Sequence, residues 1–108
     1  MAKLERTINE DFNHLLQRIE SGIMNGSMSA SLEDSSDFYA GGARCSVRVF
    51  ERYSMMGDNR VSMSVTLFQA DNGPVQVSAI TAGGSQALFF KMNTVGEETF
   101  LDTLRDIL

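Results

Sequence analysis

The stretch from Ala43 to Ala70, ARCSVRVFERYSMMGDNRVSMSVTLFQA, limits the fold most, because it reads as two long strands joined by a tight turn. In its second half Val61, Met63, Val65 and Leu67 alternate with Arg60, Ser62, Ser64, Thr66 and Phe68, the period of two that places one set on each face of a sheet. In its first half Cys45, Val47 and Val49 alternate with Arg44, Ser46, Arg48, Phe50 and Arg52. Opposed residues of an antiparallel pair share a face, so an odd-numbered core set in both strands requires paired positions to sum to about 112 or 114. That register gathers Arg44, Arg48, Arg52, Arg60, Phe50 and Phe68 on the second face. With a sum of 112 it also sets Arg44 across from Phe68, close enough for a cation–π contact.

The rest of the chain is judged against this hairpin. Residues 3 to 7 read either as a short edge strand or as the lead-in to a helix. Ile8, Phe12, Leu15, Leu16, Ile19 and Ile23 then recur at helical spacing and predict a helix over about 8 to 24. Thr7 with Glu10 fits a capping box, and Asn9 competes as the cap. Ser27 to Glu33 alternates as a half-buried strand, whereas Asp34-Ser35-Ser36-Asp37 and Gly41-Gly42 mark loop. After the hairpin, Asp71-Asn72-Gly73-Pro74 is a turn, and Val75, Val77 and Ala79 continue the odd-inward alternation with Ile80 on the outer set. Ala87 to Met92 is either a sixth strand or a packed loop. Thr94 with Glu97 makes a second capping box, ahead of a helix over about 95 to 107 carrying Phe100, Leu101, Leu104, Ile107 and Leu108.

At 108 residues the chain forms a single domain, 1–108, which buries about 65% of its unfolded surface without disulfide or metal support. These elements imply an α+β two-layer sandwich: an antiparallel meander of four to six strands with the N- and C-terminal helices packed on one face. Two helices of about 10 Å cover one side of a sheet about 24 Å wide. The side bearing the arginines, Phe50, Phe68 and Ile80 is left open.

The apolar runs are too short to span a bilayer, and the charged start MAKLERTINEDF lacks the apolar segment of a secretory signal, so a cytoplasmic protein is expected. Cys45 is alone and has no disulfide partner. A net charge of −5 argues against a nucleic-acid partner, although four of the nine basic residues lie between Arg44 and Arg60. The single histidine, His14, falls on the polar side of the first helix. It has no companion for a metal or nucleophile arrangement, and the acids Glu33, Asp34 and Asp37 lack calcium-loop spacing. No catalytic group, cofactor or metal is expected. Gly83-Gly84-Ser85 and Gly41-Gly42 do not fit a phosphate-loop pattern and read as turns.

The stretches VRVFERYSMMGDNRVSMSVTL (47–67) and VSAITAGGSQALFFKMNTVGEETFLD (77–102), with the opening ERTINEDFN, resemble a family of small bacterial proteins known only as a domain of unknown function. The resemblance runs nearly end to end and implies a compact bacterial cytoplasmic protein with no activity to carry over. The expected role is therefore non-enzymatic: a homo-oligomer, a dimer first, or a protein-interaction module using Arg44, Arg48, Phe50, Arg52, Arg60, Phe68 and Ile80. The alternative is a small-ligand binder for an anionic or partly apolar compound.

Overall fold

The computed structural model describes residues 1–26, 29–53, 60–83 and 90–108, with the backbone alone for 90–96. In chain order the elements are β1 (Ala2–Ile8), α1 (Phe12–Gly26), β2 (Ser31–Ala40), β3 (Ala43–Tyr53), β4 (Arg60–Ala70), β5 (Val75–Gly83) and α2 (Phe90–Ile107). The five strands form one sheet, ordered β1-β5-β4-β3-β2, and every neighbouring pair is antiparallel. This is the expected α+β layout, and residues 2 to 8 settle as an edge strand.

Local chemistry moves several element boundaries. Ile8 stays in β1 opposite Val75, so α1 starts only at Phe12, where Asp11 caps it. The Asp11 carboxylate accepts from the His14 amide at 2.9 Å, and its carbonyl accepts from Leu15 N at 2.9 Å. Neither Thr7 nor Asn9 is the cap. The segment Asp34 to Asp37, expected as loop, is the middle of β2, because its backbone pairs with β3 and the Asp37 side chain bonds to it (below); residues 27–28 lie outside the described set. Gly41 and Gly42, at φ 54° and 84°, form the two-residue mirror-image turn between the paired Ala40 and Ala43, a conformation that favours glycine.

At the other end, Gly73 N donates to Ala70 O at 3.0 Å in the expected turn before β5. Of Ala87 to Met92, residues 87–89 lie outside the described set, and α2 already begins at Phe90. Position 94 is therefore inside the helix rather than its cap. Glu97, expected in a capping box, is buried and accepts the Gly83 amide at 3.0 Å.

Both helices lie on one face. Phe12, Leu15, Ile19 and Ile23 of α1 and Phe100, Leu101 and Leu104 of α2 meet Val61, Met63, Val65 and Leu67 of β4 and Val75, Val77 and Ala79 of β5 in one core. The helices approach closely at Gly22, where a Cβ would sit 2.5 Å from Ile107 Cδ1, and Arg18 donates to the Ile107 carbonyl.

One expectation is overturned. In the β3–β4 ladder Cys45 opposes Phe68, Phe50 opposes Met63 and Tyr53 opposes Arg60, so odd positions pair with even ones. The odd-inward set holds in β4 and β5, but in β3 the even residues face the helices. Phe50 is fully buried, Ser46 and Arg48 are buried, and Cys45, Val47 and Val49 lie on the open face. Of the residues expected on the open face, Arg44, Arg48, Phe50 and Arg52 are beneath the helices, while Arg60, Phe68 and Ile80 remain outside. The ladder leaves six residues, 54–59, between its last pair, and that even number flips the parity of one strand relative to the other.

Burial of Phe50 gives a direct check. Phe50→Ala should lower the unfolding free energy by about 3–5 kcal/mol, as for other buried aromatics. Urea denaturation of the two proteins measures it, and a loss below about 1 kcal/mol would return Phe50 to the surface.

Candidate functional site

Two surfaces are left to carry a function: the margin of the helical layer, where β3 emerges, and the uncovered face of the sheet.

At the margin, Arg44, Arg48 and Arg52 stand in a row on the helix side of β3. The Arg44 guanidinium lies 3.8 Å over the Phe12 ring and 5.0 Å from the Tyr39 ring centre, and Nη2 donates to Asn13 Oδ1 at 2.8 Å and Tyr39 Oη at 3.0 Å. Its partner is thus Phe12, not Phe68. Arg48, 8% exposed, donates to Asp37 Oδ1 at 3.1 Å and to the Ser36 and Val47 carbonyls, with Glu20 Oε2 3.7 Å from its Nε. Arg52 stacks 4.7 Å over Phe100. The even set of β3 is legible in these terms: an arginine stem packs against rings while its head reaches the solvent edge. Arg44 and Arg48 are committed to partners of their own chain, and the row reads as a structural seam.

Among the described residues, no element lies over the other face. Its residues form cross-strand rows: Phe38, Cys45, Phe68, Gln76 and Thr7; then Ser36, Val47, Thr66, Ser78 and Glu5; then Asp34, Val49, Ser64, Ile80 and Lys3. Phe38 is 63% exposed, Phe68 40% and Ile80 43%, with Cys45, Val47 and Val49 half-buried between them. The charged residues of this face, Lys3, Glu5, Asp34, Glu51 and Arg60, sit on its rim. Lys3 Nζ is 3.8 Å from Glu5, and Arg60 is 2.9 Å from Glu51 and stacks on Tyr53. Between β4 and β1 the face sinks into a depression of about 480 Å³ lined by Glu5, Thr7, Thr66, Phe68, Gln76 and Ser78, with Arg6 and Val77 also at its wall.

Phe38 is the contributor that sequence reasoning missed. It lies between two stretches read as loop, and its signal was the aromatic pair Phe38-Tyr39 one residue before a Gly-Gly turn, a common strand ending. Among the described residues His14 is a surface group 2.8 Å from Glu10, no three His, Cys, Asp or Glu side chains gather to hold a metal, and no helix is long and apolar enough to cross a membrane.

The chain belongs to a family of unknown function, DUF6054, whose model matches residues 1–108. No curated protein matches it.

The seam predicts an acid response. Asp37 accepts from Ser46 Oγ at 2.6 Å and from Arg48, and these bonds, Ser46 first, hold its carboxyl below the ordinary value. Glu10 is lowered likewise, first by its hydrogen bond to Arg18 and less by His14. A carboxyl depressed in the folded state contributes stability that is complete above its unfolded pKa of about 4 and lost as pH falls through the folded value. Asp37→Asn should therefore shrink the loss of stability on acidification below about pH 4. Urea unfolding from pH 5 to 2 tests it, and an unchanged acid limb would show that Asp37 is no better held when folded.

Proposed function

We propose that this chain is a non-enzymatic module that self-associates through the open face of its sheet. The observation that carries the reading is the concentration of exposed Phe38, Phe68 and Ile80, with half-buried Val47 and Val49, on the sheet face that no described element covers. Isolated surface apolar residues are ordinary, but a contiguous set with charge confined to its rim has the composition of an interface core.

Size supports it as well. Five strands at about 4.8 Å, and strands of roughly seven to eleven residues at about 3.3 Å each, give a face of roughly 24 by 23–36 Å. That projects to about 550–850 Å², near the roughly 800 Å² each partner contributes to a standard interface.

A second reading has one observation behind it: the depression beside Phe68, whose lining adds Thr7, Thr66, Ser78, Gln76, Glu5 and Arg6 to the ring, suits a small, partly apolar compound with polar groups. Native mass spectrometry would favour it by showing a retained small molecule on a monomeric chain.

Sedimentation at increasing concentration decides the first reading. The wild type should form a dimer, and Phe68→Asp, which changes an exposed side chain and leaves the core intact, should weaken it by about 30-fold or more. A wild type that stays monomeric at high micromolar concentration, or a Phe68→Asp protein that dimerises as well, overturns it.

A further inference from the structure

The open face is lopsided about its central strand. On the β2–β3 side it presents a ridge of Phe38, Cys45 and Val47, with Phe38 the most exposed large side chain of the three. On the β5–β1 side lies the depression floored by Gln76, Ser78, Thr7 and Glu5. Ridge and hollow flank β4 at the same level along the strands, since Phe38, Cys45, Phe68, Gln76 and Thr7 occupy one row.

From this arrangement we infer that, on the self-association reading above, two copies pack face to face about a two-fold axis running along β4, each seating its Phe38–Val47 ridge in the other's hollow. Such an axis exchanges β2 with β1 and β3 with β5 and leaves β4 over itself. Phe68 then meets Phe68, Val47 lies over Ser78, Val49 over Ile80, and Phe38 over Thr7. Phe38 over Thr7 and Val47 over Ser78 set a larger group against a smaller one, while Phe68 over Phe68 and Val49 over Ile80 set apolar groups against each other, which suits two sheets packed about 10 Å apart.

Charge agrees with shape. The same exchange sets Asp34 of β2 opposite Lys3 of β1, and Ser36 opposite Glu5, so the rims meet with opposite charge or a hydroxyl donor. The other simple axis, running across the strands, would lay Phe38 on Asp34 and bury an acid against an aromatic ring. A strongly charged partner finds no matching field on the central rows, whereas a second copy of a chain of charge −5 meets no like charge there. Because ridge and hollow are on one face, the contact is isologous and closes at two copies.

Cross-linking separates this geometry from dimerisation as such. In a Cys45→Ser background, Ser64→Cys puts one thiol on the axis, with the two copies about 10 Å apart, while Ser36→Cys puts its pair about 20 Å apart across four strand spacings. A short bis-maleimide should link the Ser64→Cys protein at least tenfold faster than the Ser36→Cys protein. Phe38→Asp should weaken dimerisation about 30-fold with its circular dichroism spectrum unchanged. A wild type that dimerises through Phe68 but links at Ser36→Cys as fast as at Ser64→Cys, or at neither, overturns the axis and leaves the self-association reading standing. A monomeric wild type ends both.

Discussion

The pairing of β3 with β4, with Phe50 against Met63 and Cys45 against Phe68, is the constraint from which the rest of the molecule follows. It puts Phe50 into the core and threads the stems of Arg44, Arg48 and Arg52 along the border of the helical layer. A slip of one residue would exchange the two faces of β3. Arg48 would then lose Glu20 of α1, and Phe50 would be set in water while Val47 and Val49 were pushed toward rings that the arginines now cover. The ion pairs are modest at this degree of exposure, so Phe50 is the stronger determinant of register.

How far the sequence revealed this depends on how different the two faces of each strand are. In β4 the inward residues from Val61 to Leu67 are all apolar and the outward ones between them, Ser62, Ser64 and Thr66, are hydroxyl groups, so its orientation was plain, and β5 followed from it. In β3 both faces carry apolar groups, three of moderate size on one side and a phenylalanine with three long aliphatic stems on the other. Alternation alone gives the period there and not the direction. Treating each arginine as a charge rather than as a stem that packs on Phe12 or Phe100 tipped the choice the wrong way. The helical stripes were legible because Phe12 to Ile23 and Phe100 to Leu104 depend on a single face. Their starts were not, since Asp11 prevails over Thr7 only once Ile8 is bound to Val75. Part of the candidate face was thus read correctly, with Phe68, Ile80 and Arg60, and part was exchanged for its mirror set.

The strand β2 ties the two surfaces together. Its inward residues Asp37 and Tyr39 close the arginine seam, and its outward Phe38 stands 63% exposed on the open face. A side chain as large as Phe38 is held upright on an edge strand only if the backbone beneath it is fixed. The fixing comes from the other side of the same strand, through the bonds of Asp37 to Ser46 and Arg48. The seam of ion pairs therefore sets the shape of a surface it never touches.

The same strand also steers association away from the sheet edge. An exposed strand of ten residues would ordinarily invite another strand to add beside it. Here a register irregularity between Leu32 and Asp34 interrupts the ladder, and Glu33, Asp34 and Asp37 spread negative charge along it. Antiparallel addition of a second β2 would lay two such acidic runs alongside one another, which like-charge repulsion disfavours. With the edge blunted and one face filled by helices, the rows from Phe38 to Ile80, charged only at their ends, are the surface that the proposed self-association would use.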